Sequence, residues 1–357
     1  ALRWAWCDLT QRGAVGSRVS GQPRLAAVVG RWPVTRWQGP ERAPPLAQAV
    51  PVPPLVARAG AIDSPGALLS LLPGTSGPDH LSAWVRRGEG LVGWGSALKF
   101  RTGGRDRFAH AQSWWRSVVD HAVVRDDLVL PGTGPVAFGS FCFSADSPAG
   151  AVLSVPEVIV GQRGSQCWLT TIGVDSHLPG SLTPSVALAP DAPEDVRFSD
   201  GALSGAEWSA VVARAVRRIN AGEMDKVVLA RDLAVDARSD IDPRWLLQRL
   251  VERYDNTWVF AVDGLVGATP EMLVKLEKGL VTSRVLAGTI RRTGDDSRDL
   301  AVAASLARSS KDLEEHEYAV RSVAEALAPH CSSVNVPESP FVLHLSNVMH
   351  LATDVAG

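Results

Sequence analysis

Residues 257–292, TWVFAVDGLVGATPEMLVKLEKGLVTSRVLAGTIRR, constrain the fold more than any other stretch of this chain. Strand-like apolar runs are separated there by Asp263-Gly264 and by Gly279. Asp-Gly is a two-residue hairpin signal, because both residues tolerate the left-handed backbone that such turns require. Hairpins join antiparallel neighbours, whereas parallel strands need long crossovers. The stretch therefore predicts a meander.

Helical patterns flank it. Ser204 and Glu207 form a capping box ahead of an apolar stripe at Trp208, Val211, Val212, Ala215, Val216 and Ile219, and Gly222 suits the stop. KVVLARDLAV (226–235) reads as a buried strand, and Asp242-Pro243 opens a helix running to Tyr254. Two further helices are expected at 297–308 and 311–328, with Pro329 ending the second, and a last strand from Phe341 to Thr353. Upstream, 90–100, 134–143, 157–161 and 166–174 read as strands. Residues 107–124 read as a helix whose stripe holds Trp114, Val118, His121 and Ala122, with His121 a half-buried packing residue. Meanders interrupted by long helices place the chain in the α+β class.

With 357 residues, 45% of them apolar, the chain can bury a large core. Its net charge of −2 gives no field for nucleic acid or an anionic membrane, and no apolar run reaches spanning length. Cys7, Cys142, Cys167 and Cys331 are scattered, as reduced thiols of a cytoplasmic protein would be, and no secretory leader is recognised. Residues 1–55 differ: they hold seven arginines, no lysine, and tryptophans at 4, 6, 32 and 37 without a period. Their end, PERAPPLAQAVPVPPL, is proline-rich. They read as an irregular basic extension, and residues 56–357 as one domain. Phosphate-cradling GxGxxG and GxxxxGK[ST] patterns are absent, as is a GxSxG elbow.

Three residues stand out chemically. Lys226 opens an apolar run; its amine either reaches solvent along its stem or, if desolvated, becomes a base usable near neutral pH. Glu271 follows Thr269-Pro270; it marks a strand edge or, if buried, a carboxylic acid able to donate a proton. Glu315 lies in SSKDLEEHEYAV, beside the stripe of His316, Ala319, Val320, Val323 and Leu327. Ser309 and Asp312 cap that helix, where Asp312 and Glu314 favour the N-terminus. A lone carboxylate is a weak metal signal, although Mg²⁺ often takes only one or two, completing its oxygen shell with water and substrate.

KVVLAR (226–231), ATPEMLV (268–274), LAGTIRR (286–292), SSKDLEEHEYAV (309–320) and NVMHLATDVAG (347–357) stand in one order at compatible spacings. Through them the chain resembles the chorismate-utilising enzymes, most closely the isochorismate synthases, over residues 85–357 and most densely from 204 onward. The resemblance implies two large packed antiparallel sheets flanked by helices, the fold of anthranilate synthase component I. It implies Mg²⁺, chorismate as the small-molecule substrate, and a monomer in the cytoplasm. Lys226 would be the base that activates water for attack at C2, and Glu271 the acid that protonates the departing 4-hydroxyl. Glu315 would bind the metal; Gly288, Thr289 and His350 would border the substrate. Lysine at 226, where ammonia-using relatives carry glutamine, and alanine at 287, where relatives of the covalent type carry lysine, imply water as nucleophile. The product implied is isochorismate, a precursor of menaquinone and siderophores. Salicylate plus pyruvate is the alternative, and a non-catalytic family member the third reading. The family pattern continues past Gly357 through an arginine and a second metal-binding glutamate, so truncation is expected.

Overall fold

The computed structural model describes residues 53–174, 182–224 and 227–357. The N-terminal tryptophans and arginines, Cys7 and Lys226 lie outside the described residues. In chain order, β1 (Leu55–Ile62), β2 (Leu81–Arg86), β3 (Glu89–Trp94) and β4 (Leu98–Thr102) precede α1 (Arg107–Asp120). Next come β5 (Val123–Asp126), β6 (Phe138–Phe141), β7 (Ala151–Val155), β8 (Val158–Arg163) and β9 (Gln166–Val174). β10 (Arg197–Asp200), α2 (Gly205–Asn220) and β11 (Leu233–Asp236) follow, then α3 (Pro243–Arg253). The predicted meander becomes β12 (Trp258–Val262), β13 (Leu265–Thr269), β14 (Met272–Glu277) and β15 (Leu280–Arg291). α4 (Asp296–Arg308), α5 (Ser310–Leu327), β16 (Phe341–His344) and β17 (Val348–Ala356) end the series.

The chain divides into two compact units. Ala192–Ile241 belong to one; residues 53–191 and Asp242–Gly357 belong to the other. The larger unit holds an eight-stranded sheet in the order β13-β12-β2-β3-β8-β9-β1-β5, a four-stranded sheet β14-β15-β17-β16 and a three-stranded sheet β4-β7-β6. Every pair is antiparallel except β1 with β5. The fold is α+β with large antiparallel sheets flanked by helices. Asp263-Gly264 and Lys278-Gly279 take left-handed backbone angles, with φ of 50° and 83°, and 51° and 85°. These values suit two-residue hairpin turns. The meander nonetheless changes sheets: β12 and β13 lie in the eight-stranded sheet, β14 and β15 in the four-stranded one. Thr269-Pro270-Glu271 is the passage between them.

Helices bury the sheet faces. Leu247 of α3 joins Leu68, Leu72, Leu81, Val92, Val160 and Val259 in one core. Asp242 caps α3 by accepting from the Arg244 amide, with Pro243 in the first turn, as the dipeptide predicts. Val118 of α1 packs with Leu55, Ile159 and Ile172. On the four-stranded sheet, Ala319 and Val320 of α5 meet Val285 and Val355, while Ala303 and Leu306 of α4 meet Met349 and Leu351.

In the smaller unit β10 pairs with β11, and Arg231 bonds Asp200. The Ser204–Glu207 capping box forms as expected, but Ala215 is the buried residue of the α2 stripe, and Val212 and Val216 remain exposed.

The structure departs from these expectations in four places. The run 226–235 is not a buried strand over its described part: only 233–236 pairs, and Val228 and Leu233 are exposed. A strand requires a partner for its backbone, and β10 reaches only that far. Residues 90–100 split into β3 and β4, in different sheets, at Gly95 with its φ of 79°. The last strand is a hairpin of β16 and β17, since the polar Ser346-Asn347 step allows the chain to reverse. His121 is the exposed C-cap of α1, not a half-buried stripe residue; its Nδ1 lies 2.8 Å from the Ser117 carbonyl oxygen. α1 ends there because its next residues leave to form β5.

Candidate active site

The centre of the site is a distortion in β15. The β15–β17 register runs evenly to Ala287 opposite Leu351, then resumes at Thr289 opposite His350. Gly288 is the extra residue, with a φ of +76°. This is a β-bulge built on a glycine, a device that bends a strand and re-aims its neighbours. α5 closes over it. A Cβ added to Gly288 would lie 3.1 Å from Asp312 Cβ and 3.3 Å from Leu351 Cδ1. The glycine is thus required twice, by its backbone angle and by the approach of α5.

Two expected residues meet at the bulge. Thr289 Oγ1 lies 2.8 Å from His350 Nδ1. His350 is half-buried, and desolvation holds its pKa below 6.5 against the opposing hydrogen bond to the Gly288 carbonyl. A neutral ring follows at neutral pH.

Glu271 enters from the opposite side. The end of β13 leads through Pro270 to Glu271, whose amide is fixed by Thr269 Oγ1 at 3.1 Å. Its Oε1 accepts from the Leu286 amide at 3.4 Å, two residues before Gly288. The half-buried carboxylate therefore lies beside β15 next to the bulge.

α5 supplies the remaining groups. Ser309 caps it by accepting from the Asp312 amide at 3.3 Å. Asp312 and Glu315, both half-buried, are one turn apart and so share a side of the helix. His316 is on the buried stripe, as the periodicity predicts, with Nε2 2.7 Å from Thr353 Oγ1. Burial lowers its pKa; the Ala287 carbonyl opposes that shift, although the buried Nδ1 makes no hydrogen bond of good geometry. Sequence reasoning assigned Asp312 only to helix capping and missed its place over Gly288. The i, i+3 spacing from Glu315 was the available signal.

These donors suit a hard cation. Asp312 and Glu315 are oxygen ligands, and Mg²⁺ is commonly held by one or two carboxylates with water and substrate oxygens. Among the described residues no group of three or more His, Cys, Asp or Glu is gathered to enclose a metal. No helix is long and apolar enough to cross a membrane among the described residues.

Residues 65–357 match the family model described as chorismate binding enzyme. The salicylate biosynthesis isochorismate synthase of Pseudomonas aeruginosa is 30% identical over 342 residues, covering 88% of this chain and 70% of that protein. Isochorismate synthase MenF of Bacillus subtilis is 26% identical over 295 residues, covering 75% and 63%. The chain thus spans about two thirds of these relatives' lengths. Among solved structures, the menaquinone-specific isochorismate synthase MenF of Escherichia coli superposes with a TM-score of 0.68 at 20% identity, over 85% of this chain and 71% of that one, a likeness of fold. A family match over most of the sequence, and a bulge flanked by the carboxylates and histidine that its motifs carry, lead to one conclusion: the chain belongs to the chorismate-binding enzyme family.

Proposed function

We propose that this chain is an isochorismate synthase, converting chorismate to isochorismate in the cytoplasm. The observation that carries the reading is the Gly288 bulge, with Glu271 beside the Leu286 amide, Thr289 and His350 paired across β15 and β17, and α5 packed over it. The bulge re-aims β15 beside Thr289, and Glu271 and Asp312 stand on its margins.

The reaction adds water at C2 and expels the 4-hydroxyl. Hydroxide is a poor leaving group, so one residue must deliver a proton while another removes one from the attacking water. Glu271 is the donor: its carboxylic acid protonates the 4-hydroxyl, which departs as water. Lys226 is the acceptor: its neutral amine takes a proton from the incoming water. One water enters, one leaves, and the product is an isomer of the substrate. Thr289 and the neutral His350 hold the substrate against the bulge. Glu315, with Asp312 one turn before it, would hold Mg²⁺, which would supply positive charge against a substrate carboxylate. The oxygen donors of α5 support that assignment.

The test is incubation of the chain with chorismate and Mg²⁺, with products separated by chromatography. Isochorismate alone supports the proposal. Salicylate with pyruvate would reassign the chain to salicylate synthesis. No conversion under conditions where the chain is folded would overturn the activity.

A further inference from the structure

The larger unit carries a cavity of about 620 Å³ that shares no residue with the bulge or with Glu271, Asp312 and Glu315. That volume is within the range of small-molecule sites. One wall is aromatic. Trp84 and Trp258 stack with ring centroids 6.4 Å apart and an interplanar angle of 26°, and Trp84 remains exposed. Buried Trp168 lies across Gly161, where a Cβ would collide with its indole, and donates its Nε1 hydrogen to the Gly132 carbonyl at 3.0 Å. Trp168 is therefore fixed in place.

The other wall is cationic. Arg86, Arg87, Arg163 and Lys275 line the cavity against only Glu89 and Glu277. Glu277 is already bound to Lys275 at 2.5 Å and Arg163 at 3.1 Å. Glu89 accepts from the Gly164 amide at 2.9 Å, and Arg87 donates to Asn256 Oδ1 at 3.0 Å. Arg86 differs from these neighbours. Its guanidinium lies 4.1 Å from the Trp258 ring centroid, its Nε is buried without a hydrogen-bond partner, and it forms no ion pair among the described residues, although Glu89 stands opposite it in the β2–β3 register. Burial, then Arg87, then Arg284 lower its pKa, all by disfavouring the charge. Arg86 is half-buried, and a partly desolvated cation without an ion pair gains from an anion brought beside it.

A guanidinium fork matches a carboxylate, and indole faces match a flat ring. We propose that this cavity is a second binding site, for a small aromatic carboxylate, with the carboxylate on Arg86 and the ring against the exposed indole of Trp84. The site is independent of the activity proposed above, and its test requires no turnover.

Isothermal titration of the full chain with benzoate, cyclohexanecarboxylate and inorganic phosphate tests it, alongside nuclear magnetic resonance of the indole N–H signals. Benzoate should bind one site and shift the Trp84 and Trp258 signals. Arg86→Gln should weaken it by about tenfold or more, as expected for loss of a charge-assisted fork. Glu315→Gln should leave benzoate binding intact. If Arg86→Gln fails to fold, the signal shifts in the unaltered chain decide. Equal affinity for cyclohexanecarboxylate or phosphate would overturn the aromatic assignment. Absence of benzoate binding, or binding lost in Glu315→Gln and unchanged in Arg86→Gln, would overturn the site.

Discussion

Thr289 and His350 face each other across β15 and β17 at the first register pair beyond the Gly288 bulge, with Oγ1 and Nδ1 2.8 Å apart. The hydroxyl fixes the ring while the imidazole also engages the Gly288 carbonyl. Removing the hydroxyl should loosen substrate positioning more than it unsettles the fold. Thr289→Val is expected to lower kcat/KM by about tenfold, since small misplacements are costly in a positioned site, while changing stability by about 1 kcal/mol. Thr289→Ser should recover most of the loss. Steady-state kinetics and thermal melts of the two variants separate these effects.

His350 also gives a pH signature. Burial depresses its folded pKa below the ordinary 6.5, so the unfolded chain binds the proton more readily. The stability associated with the neutral ring is complete above 6.5 and is lost as the pH falls through the lowered folded value. The unaltered chain should lose more Tm on acidification below 6.5 than His350→Asn does. Parallel slopes in the two proteins would remove His350 from the account.

Gly288 is the position where a single methyl group should be felt most. Its φ of +76° disfavours any side chain, and a Cβ would press on Asp312 and Leu351 at 3.1 and 3.3 Å. Gly288→Ala should destabilise the chain by about 1–3 kcal/mol, combining backbone strain with overpacking. Denaturant unfolding measures this. A variant of unchanged stability would show that α5 yields easily.

Much of this arrangement was legible in the sequence because it rests on local chemistry. The Ser204–Glu207 box, the Asp242-Pro243 start and the two glycine turns of the meander are decided by residues next to one another. The sheet change at Pro270 was not legible, because strand partners are chosen by long-range packing rather than by the strand's own pattern. The same reason explains the run 226–235, whose apolar residues read as a strand while β10 pairs with only its end. At the candidate site, the motifs pointed to Lys226, Glu271, Gly288, Thr289, Glu315 and His350, of which the structure brings Thr289 and His350 into contact beside Gly288 and sets Glu271 against the Leu286 amide. They could not reveal that Gly288 is a bulge, since register exists only between two strands. Nor could they reveal the Arg86 cavity, which is assembled from the β2–β3 and β8–β9 hairpins with β12 and β14, segments far apart in sequence.

Asp299 tests the packing of α4 on the same sheet. It accepts from the Thr293 amide at 2.7 Å, from Arg292 Nε at 2.7 Å and from Thr293 Oγ1 at 2.8 Å. The Thr293 amide, then Arg292, pull its pKa from 3.8 down to about 2. A depressed carboxylate stabilises the fold above its unfolded value and ceases to do so as pH falls through the folded one. The contribution should therefore be full above 3.8 and disappear toward about 2. Asp299→Asn should lower Tm at neutral pH, and the gap from the unaltered chain should narrow across that acid window. A constant gap would mean that the loss comes from packing alone.

In the proposed reaction the acid and the base act on separate bonds. Glu271→Gln keeps a hydrogen-bonding group beside the Leu286 amide but cannot deliver a proton. Lys226→Ala removes the acceptor for the water proton. Each should reduce kcat by about 10²–10⁴-fold, the usual worth of a positioned acid or base, with little change in KM. If both act in one transition state, the double variant should lose far less than the product of the two single losses. Glu315→Gln should behave differently. A ligand to the ion affects how much Mg²⁺ is needed, so its defect should shrink as Mg²⁺ rises, whereas those of Glu271→Gln and Lys226→Ala should not. Turnover measured across an Mg²⁺ series for the three variants distinguishes the roles. Insensitivity of the Glu315→Gln defect to the ion would take Glu315 out of the metal site and leave Asp312 as the α5 carboxylate to test next.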